Sequence, residues 1–307
     1  MDIWLPEPGE TLLARTSVIF ATGEATRVRG MRWFRDTHRN DIQNELPGWP
    51  EGPRYEARSS GGSVARNVGR GGVMALGGII MAALSSAGGN VSGSSGPDDG
   101  SDTSHDPADE IEDFPVLWAA PDTMARTLPW QLDPGRSDEK HYRTHMIVTD
   151  RRLVIVGFPY AKKNSKLIED EVLWEIRRSS VSQVEPRDFK DGTDVKLVFV
   201  DGSWCRLHTN IRKKLTRHLV HPLDLVPLDS LTRAQQDTVA AFLAKIPAGP
   251  GKVVEAPVIT RRPGGHFRVE VLPLDETDAF FGITDREMVM DSDGMELQIT
   301  QYHPDDF

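Results

Sequence analysis

Three neighbouring stretches decide the fold: THMIVTDRRLVIVGF (Thr144–Phe158), VLWEIRRSSVSQVE (Val172–Glu185) and DVKLVFVDGSWCRLHT (Asp194–Thr209). All are rich in β-branched and aromatic residues and break at turn chemistry. Met146 and Val148 alternate with Ile147 and Thr149, and Asp150-Arg151 turns the chain into a return strand, Arg152–Phe158. Val195, Leu197 and Phe199 share one face of a strand while Lys196 and Val198 face away, because side chains alternate with a period of two. Asp201-Gly202 marks a second hairpin, glycine taking positive φ without steric cost. A helical period follows. Leu231, Ala234, Thr238, Ala241, Phe242 and Ile246 form a stripe behind Ser230 as N-cap, and Pro247 and Gly249 end it. The expectation is a mainly β chain with some α: an antiparallel β-barrel capped by a C-terminal helix, plus a glycine-rich helical or flexible insertion.

Working outward, the chain divides into five parts. Residues 1–60 form an N-terminal segment whose first strand, within Gly9–Phe20, is expected to join the barrel. Residues 61–96 are a glycine-rich apolar insertion with no charge between Arg70 and Asp98. Residues 97–113 carry only acids among their charged residues and read as a solvated linker, since such a run has little apolar area to bury. Residues 114–248 hold the barrel. Residues 249–307 read as an irregular tail with weak strand signals at Phe267–Leu272 and at Glu287–Thr300, the latter turning at Asp293-Gly294.

Composition narrows the function. The chain has 307 residues and a formal net charge of -10, which disfavours nucleic acid as a partner because phosphate contacts need a basic surface. A single cysteine, Cys205, rules out an intramolecular disulfide and fits a reducing, cytoplasmic setting, with or without membrane association. Cys205 lies on an alternating strand and reads as a small core residue rather than a reactive thiol.

No cofactor or metal is expected. Gly249-Pro250-Gly251-Lys252 runs into Val253 and is not a P-loop, and Gly69-Arg70-Gly71 meets Met74 where a dinucleotide fingerprint needs its third glycine. Neither the His141/His145 pair nor the His218/His221 pair has the setting of a metal site. No residue is singled out as catalytic.

The three opening stretches, in particular Thr149-Asp150-Arg151-Arg152-Leu153, the LWEI…SVSQVE pair and LVFVDGSWCRL (Leu197–Leu207), resemble the pleckstrin-homology-like superfamily, and within it GRAM-like and bacterial PH-like domains. The resemblance covers roughly residues 110–250. It implies a barrel that binds phosphoinositides, peptides or other proteins, and a fold does not by itself choose among them.

Two basic clusters are candidates for contact with anionic lipid. One is Arg27, Arg29, Arg32 and Arg35, around Trp33 and Phe34; the other is Arg212, Lys213, Lys214 and Arg217. Each basic residue near a charged membrane contributes about 1 kcal/mol. In the insertion, Gly71 and Ala75, and Gly78, Ala82 and Ser86, fall at spacing four and would form a smooth helix ridge for membrane or helix packing. Gly71–Gly89 approaches the length needed to cross a bilayer, at ~1.5 Å per residue against ~30 Å of hydrocarbon. A single crossing would, however, separate the first strand from the barrel. Spanning, lying on the surface and packing in an oligomer all stay open.

The reading that follows is a non-catalytic binding module for an anionic membrane surface or a protein partner. The alternatives are a soluble homo-oligomeric scaffold that uses the glycine-rich helix, and an enzyme whose acid and base residues converge only in the folded chain.

Overall fold

The computed structural model describes residues 3–21, 33–51, 55, 115–133, 142–159, 169–187, 193–209, 211–220, 223–246, 253–254, 256–262, 264–274 and 286–302. Expectations placed on the insertion (61–96) and the acidic linker (97–113), including Gly71, Ala75, Gly78, Ala82 and Ser86, lie outside these residues. The described chain is mainly β. Its strands are β1 (Leu12–Ser17), β2 (Ile19–Phe20), β3 (Phe34–Arg35), β4 (Leu117–Trp118), β5 (Tyr142–Thr149), β6 (Arg152–Pro159), β7 (Glu171–Arg177), β8 (Val181–Arg187), β9 (Asp194–Phe199) and β10 (Trp204–His208). Helices α1 (Arg212–Val220) and α2 (Arg233–Ala244) follow, then β11 (Val253–Val254), β12 (Val258–Arg261), β13 (Phe267–Val271), β14 (Pro273–Leu274) and β15 (Arg286–Met290).

One antiparallel sheet runs β1-β5-β6-β7. A second runs β3-β4-β10-β9-β8, with β2 also pairing with β10. The chain passes between the sheets at Val18 and again through the 3-10 turn Arg178–Ser180. They share one core, in which Leu13, Met146, Leu153 and Ile155 meet Val195, Leu197, Phe199 and Leu207. Among the described residues β7 and β8 form no ladder, so the hydrogen bonding does not close into a cylinder.

The outer face of the first sheet is covered too. Leu12, Ile147, Val154 and Val156 lie under Trp4 and Leu272. Burial on both faces explains why Leu153–Val156 reads as an unbroken apolar run.

Helix α1 packs on β8 and β1 and buries Leu215 and Leu219 in the shared core. Helix α2, expected to cap the barrel, belongs instead to a separate core. Val239 and Phe242 pack with Ile259, Phe267, Val269, Val271 and Met288 of the sheet β12-β13-β15. Its N-cap is Thr232 rather than Ser230. The Thr232 hydroxyl accepts the Gln235 N–H at 3.3 Å, and Gln235 Oε1 accepts the Thr232 N–H at 2.9 Å, a reciprocal capping box. Ser230 donates to the Pro227 carbonyl at 2.6 Å and closes the 3-10 turn before it.

The segment read as an irregular tail therefore contains a three-stranded sheet with its own core. The turn after β15 falls at Asp291–Met295, where Gly294 has φ +87°. A Cβ at Gly294 would come within 2.9 Å of the Ala234 and Gln235 backbone, so glycine lets this turn rest on the start of α2.

Candidate functional site

The TDRRL hairpin builds one end of the first sheet. Thr149 Oγ1 accepts the backbone N–H groups of Arg151 (3.1 Å) and Arg152 (2.7 Å) and donates to Glu10 Oε1 at 2.5 Å. Asp150 Oδ1 accepts the Thr11 N–H at 2.8 Å, which pins β1 to the hairpin. Arg152 grips Glu10 through Nε (2.9 Å) and Nη2 (2.5 Å). The Glu10 side chain is fully buried, and the Arg152 hydrogen bond holds its carboxyl at about 2, well below the usual 4.5. Glu10 in turn pushes the Arg152 pKa up.

The turn between β7 and β8 reaches the same end. The Arg178 N–H donates to the Arg151 carbonyl at 2.7 Å and ties the two turns together. Between them lies an open cleft of about 680 Å³ lined by Asp150, Arg151, Arg152, Glu175, Arg177 and Arg178, with Glu7 on the rim. In the ladder Arg152 stands opposite Arg177, an arrangement of like charges that repels unless acids intervene.

Two acids of this cleft, Glu7 and Glu175, and the buried Glu10 beneath it gather on one arginine, while Asp150 lies nearer Arg178. Arg152 forms ion pairs with Glu7 (3.2 Å), Glu10 (2.5 Å) and Glu175 (3.2 Å). The other three arginines make no ion pair among the described residues. Arg151 donates to the Gly9 carbonyl at 2.6 Å, and Arg178 donates Nε (3.0 Å) and Nη2 (2.6 Å) to the His218 carbonyl at the end of α1. Burial pulls the Arg178 pKa down from its usual value, opposed by the charge of Asp150. Arg177 is exposed, and its guanidinium has no ion-pair or hydrogen-bond partner among the described residues. A guanidinium bound only to a carbonyl remains fully cationic and keeps further donors for an incoming anion.

None of the basic residues expected from sequence lines this cleft. Arg27, Arg29 and Arg32 lie outside the described residues. Arg35 is buried on β3. The second cluster is all on α1 but points several ways. Arg212 Nη1 donates to the Arg187 carbonyl at 2.7 Å, and Lys213 is exposed. Lys214 and Arg217 are buried, Lys214 Nζ 3.8 Å and Arg217 Nη2 2.7 Å from Glu270 Oε1 on β13. Lys214 and Arg217 thus face a carboxylate of their own chain, not solvent.

In the sequence, Arg151-Arg152 reads as part of a fold signature and not as a site. The one sequence signal of the cleft arginines is a pair of Arg-Arg dipeptides, Arg151-Arg152 and Arg177-Arg178, each at the end of a strand and next to a turn.

Among the described residues no three His, Cys, Asp or Glu side chains converge as a metal site. Cys205 is fully buried, and burial pushes its thiol above the usual range. No helix among the described residues is long and apolar enough to cross a membrane. No protein-family model, curated protein or solved structure matches the chain.

Proposed function

We propose that this chain is a non-catalytic binding module of the pleckstrin-homology-like kind, GRAM-like in its hairpin, that associates with an anionic membrane surface through the arginine cleft. Support for the architecture comes from chain order: four antiparallel strands (β1, β5, β6, β7), three more (β8, β9, β10), then a helix packed back on β8 and β1. In this reading α1, not α2, is the helix that closes the barrel.

The observation that carries the function is the uneven charge of the cleft. Three acids (Glu7, Asp150, Glu175) and four arginines line it, yet among the described residues its ion pairs converge on Arg152, from Glu7, Glu175 and the buried Glu10. Arg151, Arg177 and Arg178 make a local cationic edge on a chain whose net charge is -10. An anionic bilayer attracts such an edge over roughly one Debye length, about 10 Å at 0.1 M salt, while the acidic remainder of the chain opposes random adhesion.

The test is flotation of the full chain with vesicles of phosphatidylserine and phosphatidylcholine against phosphatidylcholine alone. Wild type floats with the acidic vesicles at low salt, and the double variant Arg151→Glu/Arg177→Glu loses about tenfold or more of that partitioning. Absence of wild-type flotation at low salt refutes the membrane reading.

A further inference from the structure

Glu270 is a nearly fully enclosed carboxylate outside the cleft. Its side chain is 1% exposed, and three bases of α1 converge on it: Arg217 Nη2 at 2.7 Å, Lys214 Nζ at 3.8 Å and His218 Nε2 at 3.2 Å. These residues stand at i, i+3 and i+4, so they occupy one face of the helix. The strand that supplies Glu270 has two faces. Phe267, Val269 and Val271 pack into the core with α2, while Arg268, Glu270 and Leu272 look toward the larger β-body. Glu287 on β15 adds a second acid, 2.6 Å from Arg268 and 3.7 Å from Arg217.

The contact is mostly charged. Val258 and Leu272 are the apolar side chains of β12 and the end of β13 that join the larger body's cores. Removing charges from water offsets much of what a buried ion pair gains, so such a seam holds weakly for its size. His218 sharpens this. Its ring is buried, and neither Nδ1 nor Nε2 makes a well-aligned hydrogen bond among the described residues, Nε2 lying 3.2 Å from Glu270 Oε2.

We infer that β13 acts as an internal cover: Glu270 occupies, in place of an anionic membrane surface, the basic face of α1 formed by Lys214, Arg217 and His218. Release of the sheet β12-β13-β15 then exposes that face beside Lys213 and within reach of the cleft, because Arg178 is bound to the His218 carbonyl. The inference takes from the proposed function only the sign of the partner's charge; the cover itself stands on the geometry of the seam.

Acid favours release. The charged and titratable groups around His218 are Lys214 and Arg217 on its own helix, Glu270 and Arg268 on β13, Glu287 on β15 and Arg178 from the turn before β8. Burial, the largest influence, holds the His218 pKa below its usual 6.5 despite the neighbouring Glu270. An uncovered His218 binds a proton more readily than a covered one, so covering is favoured above the ordinary histidine value and weakens as pH falls below it.

The experiment measures flotation with mixed phosphatidylserine–phosphatidylcholine vesicles for wild type, Glu270→Gln, and Glu270→Gln carrying Lys214→Gln and Arg217→Gln. Amide hydrogen exchange of β13 is followed in parallel. Glu270→Gln is expected to bind acidic vesicles about tenfold more strongly than wild type, with faster exchange in β13. The triple variant should return to the wild-type level. The Arg151→Glu/Arg177→Glu background distinguishes this from the cleft: loss of wild-type binding there tests the cleft, while a gain on adding Glu270→Gln tests the cover. The inference is overturned if β13 loosens without a gain in binding, if β13 stays protected in Glu270→Gln, or if the gain also appears on phosphatidylcholine alone or survives in the triple variant.

Discussion

The cleft and the α1–β13 seam use the same chemistry to opposite ends. In both, arginines meet carboxylates at 2.5–2.7 Å. At the cleft, Glu7, Glu175 and the buried Glu10 crowd one arginine and leave its neighbours Arg151, Arg177 and Arg178 without an ion pair among the described residues. At the seam, one buried acid, Glu270, gathers three bases and buries them, with the half-exposed Glu287 at its edge. The difference teaches that a cluster of basic residues has no fixed meaning. Its availability depends on how the acids around it are shared out and on whether water reaches it.

That comparison can be broken most forcefully at the seam. Glu270→Gln leaves Lys214 buried without its counter-charge and Arg217 with only the more distant Glu287, and breaking a buried pair typically costs about 3–5 kcal/mol. The expected result is a large loss of protection across β12, β13 and β15 by hydrogen exchange. If the seam is as open to water as the cleft, the loss will be below about 1 kcal/mol.

A smaller effect is expected under the cleft. Glu10 has its pKa depressed to about 2, so it adds stability that is fully present above the ordinary 4.5 and is lost as pH falls toward 2. Glu10→Gln should cost about 2 kcal/mol or more in urea unfolding at neutral pH, and the gap to wild type should close in strong acid. A gap that does not depend on pH would remove Glu10 as the anchor of the TDRRL hairpin.

His218→Gln sharpens the comparison further. Wild-type β13 should lose protection as pH falls from about 7.5 to about 5.5, whereas the variant, which cannot titrate there, should show a flatter profile. His145 is fully buried with its pKa likewise lowered, so acid also weakens the fold through the first sheet. That contribution appears in global unfolding and is unchanged by His218→Gln.

The smallest effect on the fold comes from Arg177→Ala. The side chain is exposed and without a partner among the described residues, so stability should shift by less than about 0.5 kcal/mol. Vesicle partitioning should nonetheless fall by roughly fivefold.

Much of the β-body is legible in the sequence because local chemistry there agrees with the tertiary fold. Asp150-Arg151, Asp201-Gly202 and Asp293-Gly294 all fall at turns, and Val195, Leu197 and Phe199 all enter the shared core. The sequence misleads where charge is buried. Phe267–Leu272 reads as a weak strand in an irregular tail, and its alternate Arg268 and Glu270 would be placed on a solvent face, yet both are buried at the seam. Ile211–His218 reads as a basic surface segment, although Leu215 and Leu219 anchor it as a helix in the core. The amphipathic stripe of α2 announces a buried face but cannot say which sheet receives it. The arginine cleft is hidden for a similar reason: Arg151 and Arg177 come together only when β6 and β7 pair.

The most direct measurement is the partitioning of the full chain onto vesicles of increasing phosphatidylserine content at low and high salt. The account predicts binding that climbs with the acidic lipid, weakens with salt, and loses most of its slope in Arg151→Glu/Arg177→Glu. Binding that is flat across lipid charge, or equal in wild type and variant, would contradict it.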